Sequence, residues 1–96
     1  MSKREKRLQK LRHNPIGVSF EDLKRVLEDA GFVLDHATGS HHVFRMEISE
    51  HTFRITIPFA RPVKSIYVKQ AIALIDEMHR LGATQPPDDD AGDDNE

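Results

Sequence analysis

The sequence predicts one small α+β domain in the order helix, three strands, helix, and three observations lead there. Apolar residues recur at helical spacing over residues 20–30, alternate with polar ones over residues 32–57, and return to helical spacing over residues 65–81. The connections within residues 36–52 are too short for the crossover that parallel strands need. They predict an antiparallel meander with both helices covering one face of a three-stranded sheet. The chain has 96 residues, 38% hydrophobic and 31% charged, which is enough for one thin core and too little for two.

The first helix is predicted over residues 20–30. Ser19 is placed to accept from the backbone N–H of Asp22, and Glu21 and Asp22 suit the positive end of the helix dipole. Phe20, Leu23, Val26, Leu27 and Ala30 form its apolar stripe, and Gly31 follows where a left-handed conformation is needed. Phe32 to His36 is a short strand, and Ala37-Thr38-Gly39-Ser40 has the chemistry of a turn. On the second strand His42, Phe44, Met46 and Ile48 alternate with His41, Val43, Arg45 and Glu47. On the third, Phe53, Ile55 and Ile57 alternate with Thr52, Arg54 and Thr56 until Pro58 stops it. The apolar rows belong to the core, which leaves His41, Arg45 and Arg54 on an open face. The second helix, residues 65–81, is predicted to bury Ile66, Val68, Ala71, Ile72, Ile75 and Met78, with Gly82 closing it.

Charge is distributed unevenly. Residues 1–13 carry +5, residues 14–87 carry −1 and residues 88–96 carry −6, within a net charge of −2. Each tail therefore acts locally, within about a Debye length of roughly 10 Å. Residues 1–14 read as a basic arm: Lys3 to His13 admits a short basic helix ended by Asn14-Pro15, but Leu8 and Leu11, one turn apart, make a poor apolar stripe. A solvated, partly disordered arm is expected, with contact to RNA phosphates as the sharper alternative. The folded domain is expected over residues 15–83. Residues 84–96 have no apolar side chain larger than Ala91 and read as a disordered acidic tail. No apolar run follows Met1-Ser2-Lys3-Arg4-Glu5, and no segment is long and apolar enough to span a bilayer, so a cytoplasmic protein is expected.

There is no cysteine, so the chemistry falls to six histidines. His13, His36, His51 and His79 sit at termini, turns or strand ends, where ordinary surface polarity accounts for them. Strand alternation sends the adjacent His41 and His42 to opposite faces, so the pair cannot clasp one metal ion, and no metal site is expected. His41 opens a strand whose outward row also carries Arg45, with Arg54 outward on the next strand. That set suits holding a phosphodiester and removing a proton beside it. The plainer reading, a polar residue on an exposed strand, stays open on spacing alone.

Four groups of residues, in order, resemble a known family. They are Val18-Ser19-Phe20-Glu21-Asp22-Leu23, Ala30-Gly31-Phe32, Gly39-Ser40-His41-His42-Val43-Phe44-Arg45 and Ile55-Thr56-Ile57-Pro58. Their sequence and spacing are similar to those of the HicA toxins, over residues 14 to about 81. The resemblance implies a fold like that of double-stranded-RNA-binding domains and an endoribonuclease acting on mRNA, held inactive by a HicB-type antitoxin. It maps the catalytic histidine onto His41, which would help deprotonate a ribose 2′-OH for attack on the neighbouring phosphate, without metal or cofactor. Gly39, Ser40, Arg45 and Arg54 are the expected RNA contacts. One departure stands out: many members of the family carry a further histidine two residues after the proline that ends the third strand, and this chain has Ala60 there. A non-catalytic RNA- or protein-binding module on the same fold is the alternative.

Overall fold

The computed structural model describes residues 2–81, and Gly82 and the acidic segment 84–96 lie outside the described residues. The order is α1 (Lys3–His13), α2 (Phe20–Asp29), β1 (Val33–Thr38), β2 (His41–Ile48), β3 (His51–Pro58) and α3 (Ser65–Arg80). The sheet is antiparallel in the order β1-β2-β3. The expected helix–three strands–helix core is present, preceded by one further helix. No described helix is long and apolar enough to cross a membrane.

Local chemistry explains the boundaries. Ser19 caps α2 by accepting from the Asp22 N–H at 3.1 Å, and Gly31 leaves it at φ +105°. A side chain at Gly31 would also come within 2.8 Å of the Met46 thioether, so two constraints favour glycine there. β1 runs two residues further than the sequence reading, to Thr38, and the turn is reduced to Gly39-Ser40 with Gly39 at φ +58°.

The core lies between the sheet and the helices. Phe20, Leu23, Val26 and Leu27 of α2 meet Phe44 of β2, Ile55 and Ile57 of β3, and Val68, Ala71, Ile75 and Met78 of α3. These buried residues come from the inner row of the sheet and from both flanking helices, so α2 and α3 share one face. Three expected core residues are placed differently. Phe53 and Ile72 are only partly buried, and Ile66 is 57% exposed. The cause is angular. The buried stripe of α3 centres on residues 68, 71, 75 and 78, and at about 100° per residue Ile66 points away from it while Ile72 lies on its margin.

The N-terminal segment corrects the expectation of a solvated arm. Ser2 and Glu5 form a capping box: the Ser2 hydroxyl accepts from the Glu5 N–H at 3.2 Å, and the Glu5 carboxylate accepts from the Ser2 N–H at 3.1 Å. Leu11 is 3% exposed and joins the core, with Leu8 packed against it. Arg7 forks onto Asp29 of α2 at 2.6 and 2.9 Å, and Arg12 forks onto Asp76 of α3. Two leucines are enough here because the partners come from outside the helix, which periodicity within the segment cannot register.

Candidate functional site

The chemistry-bearing side chains lie on the sheet face opposite the helices. In the β2–β3 register His41 pairs with Pro58, Val43 with Thr56, Arg45 with Arg54 and Glu47 with Thr52, so these residues share the outer face. His42, Phe44 and Met46 pair with Ile57, Ile55 and Phe53 on the inner face. The alternation read from the sequence therefore holds along both strands.

The two adjacent histidines differ in every respect that matters for chemistry. His42 is half-buried: its ring centroid lies 4.7 Å from that of Phe20, and its Nδ1 is 3.1 Å from the Ser40 carbonyl oxygen. His41 is exposed. Its position is fixed through the backbone. The Phe59 N–H donates to the Ser40 carbonyl at 2.6 Å, which ties the Gly39-Ser40 turn to the segment after β3. Phe59 in turn packs on Phe20, 5.0 Å between centroids, and carries the Arg61 guanidinium 5.5 Å over its ring. Ala60, half-buried, sits in this same segment. The imidazole of His41 is thus set at a well-anchored corner of the sheet with its ring open to the outside.

Arg45 and Arg54 share the face with His41 but do not surround it. They lie four residues along the strand from the His41 row, about 13 Å away, with Val43 and Thr56 between. They are also already engaged. The Asp35 carboxylate lies 3.7 Å from Arg45 and 3.5 Å from Arg54, and Glu47 pairs with Arg45 at 2.9 Å. The sequence reading missed Asp35. The register of β1 slips between Leu34 and His36, so that His36 pairs with Val43 where unbroken alternation would place Asp35. Asp35 keeps the outward place that alternation from Val33 and Leu34 gives it, and the bulge turns His36 to the same face, their side chains 3.3 Å apart. Nothing in Val33-Leu34-Asp35-His36 announces a bulge, because the segment contains no glycine and alternates acceptably.

The outer face therefore offers a free imidazole at one end and a neutralised cluster of two guanidiniums and two carboxylates at the other. The imidazole can accept a proton from a hydroxyl brought against it, and the guanidiniums can hold a phosphate if it competes with Asp35. Among the described residues no three His, Asp or Glu side chains gather as a potential metal site. No curated protein and no solved structure gives a significant match to the chain. The family model described as "HicA toxin of bacterial toxin-antitoxin" matches residues 20–76, from the first residue of α2 to Asp76 in α3, and so takes in His41, the bulge and all three strands. With more than half its length inside that match, and with the turn, strands and open histidine in the places described, the chain belongs to the HicA toxin family.

Proposed function

We propose that this HicA-family chain is a metal-independent endoribonuclease that cleaves single-stranded mRNA in the cytoplasm and is silenced by a HicB-type antitoxin. The observation that carries the reading is the contrast between the two histidines: His42 is engaged by Phe20 and the Ser40 carbonyl, whereas His41 is open on an anchored corner of the sheet. In the proposed reaction neutral His41 takes the proton of a ribose 2′-OH. The 2′-oxygen bonds to the adjacent phosphorus, and the P–O5′ bond breaks to leave a 2′,3′-cyclic phosphate and a 5′-hydroxyl end. A proton from water completes the leaving group. A histidine suits this role because its ordinary pKa of about 6.5 leaves much of it neutral near pH 7. DNA lacks the nucleophile and is not a substrate.

In this reading Gly39 and Ser40 line the path of the strand beside His41, and Arg45 and Arg54 take phosphates further along it. The antitoxin covers the outer face and occludes His41. Inducing the wild type and His41→Ala in a host lacking the antitoxin gene tests the proposal. The wild type should arrest growth and degrade mRNA, and the variant should do neither. A variant as toxic as the wild type would reject it.

A second reading, a non-catalytic RNA- or protein-binding module, is favoured by the way Asp35 and Glu47 cancel the charge of Arg45 and Arg54, and by Ala60 at the position where the family resemblance implies a histidine. A cognate antitoxin gene directly beside this one favours the toxin, and its absence favours the module.

A further inference from the structure

We infer that Asp35 acts as an intramolecular competitor for RNA phosphate: it occupies the guanidinium pair of Arg45 and Arg54 and so weakens the hold of the outer face on the substrate. This rests on the RNA-binding part of the proposed function and adds to it a residue that restrains binding. Alternation from Val33, the register partner of Arg45, and Leu34 puts the Asp35 carboxylate on this face, 3.7 Å from Arg45 and 3.5 Å from Arg54. Arg45 and Arg54 are register partners, so their side chains leave the sheet side by side. Side-by-side guanidiniums on an open sheet are a phosphate-binding arrangement, because each presents a planar fork of donors to the same group of oxygens. Asp35 supplies two such oxygens from the protein itself.

The electrostatic consequence is specific. With Asp35 and Glu47 in place, the four-residue cluster of Arg45, Arg54, Asp35 and Glu47 has no net charge at neutral pH. A phosphate arriving there must displace one anion to gain another, and releases fewer counterions than two unengaged arginines would allow. The contacts of Asp35 are exposed enough that an incoming phosphate can take its place, since ion pairs of this kind are individually weak. The restraint is therefore graded. A toxin built this way binds RNA more loosely than its arginines permit.

The test compares wild type, Asp35→Asn and, as a control for net charge alone, Glu28→Gln, an exposed acid on the helical side. Asparagine keeps the shape of the side chain, and thermal melting checks that the fold is intact; Asp35→Ser serves if Asn unfolds it. Binding is measured between 50 and 200 mM salt, about the range over which phosphate contacts are read, on one single-stranded RNA and on DNA of the same sequence, which lacks the 2′-OH and stays uncut. Asp35→Asn should bind about three- to fivefold more tightly at the low-salt end, and the slope of log K against log salt should steepen by about 0.7. Both gains should vanish in an Arg45→Gln/Arg54→Gln background, and Glu28→Gln should show neither.

A gain equal to that of Glu28→Gln would overturn the inference in favour of overall charge. Weaker binding by Asp35→Asn would overturn it by making Asp35 a support for the arginines. No RNA or DNA binding by any variant, with a change confined to antitoxin affinity, would overturn it in favour of a protein-binding face. Should the wild type bind RNA without ever cutting it, and Asp35→Asn still bind more tightly, the endonuclease reading fails and the competitor role stands.

Discussion

The two faces of this sheet are built from the same three strands and put to opposite uses. On the inner face Phe44 and Ile57 are fully buried, and the polar member of the row, His42, is absorbed by a ring contact and a carbonyl. On the outer face the row runs His41, Val43, Arg45 and Glu47, balanced across the strands by Asp35 and Arg54. The inner face sets the structure through burial, which is indifferent to small changes of charge. The outer face contributes little to stability, since exposed ion pairs contribute at most about 1 kcal/mol each, and so its residues are free to serve binding and chemistry. Alternation along a strand lets one residue pair, His41 and His42, fall on both sides of that division.

Substitutions that break the comparison should differ first in stability. Phe44→Ala removes a fully buried aromatic ring at the centre of the inner row and should cost about 3–5 kcal/mol in denaturant unfolding, enough to threaten a domain of this size. His42→Ala should cost about 1–2 kcal/mol, through the lost ring contact with Phe20 and the lost Nδ1 contact with the Ser40 carbonyl, which keeps only the Phe59 N–H. Cleavage should fall only as far as the folded fraction falls. An undiminished melting temperature for His42→Ala would erase the distinction between the faces.

A smaller, pH-dependent effect belongs to the helical layer and sharpens the same point about exposed charge. The hydrogen bonds from Arg12 hold the Asp76 carboxyl below the usual carboxylate range. A depressed pKa in the folded state contributes stability above the unfolded-state value, and loses it as pH falls through the folded-state value. The wild type should therefore melt slightly above Asp76→Asn near neutral pH, and the gap should close in acid below the ordinary carboxylate range. A gap that widened in acid would contradict the pairing of α1 with α3.

Much of this was legible in the sequence, and the exceptions have physical causes. Ser19, the stripe Phe20-Leu23-Leu27 and Gly31 defined α2 because cap, period and terminator agree. β2 and β3 read correctly because a period of two over eight residues admits one register with the apolar row inward. A helix over α1 is admitted by the sequence but its docking is not, because its two leucines find their partners outside the segment, although Ser2 and Glu5 stand at capping-box spacing and signal the helix start. Alternation turns Asp35 outward, but its contact with Arg45 and Arg54 depends on how β1 pairs with the neighbouring strand, and local sequence carries no mark of that. The proximity of Arg45 and Arg54 to each other was readable. Their separation from His41 by an intervening row was also there to be read in the count of four residues, and Asp35's hold on them was not.

The most direct measurement is cleavage of a single-stranded RNA by the purified protein and by His41→Ala, in EDTA, with thermal melting alongside. Removal of an exposed imidazole should change stability by no more than about 0.5 kcal/mol. The wild type should cut the RNA in EDTA and leave 2′,3′-cyclic phosphate ends, the same sequence as DNA should remain whole, and His41→Ala should leave both intact while melting with the wild type. Cutting by His41→Ala at the wild-type rate, or loss of wild-type cutting in EDTA, would contradict the account.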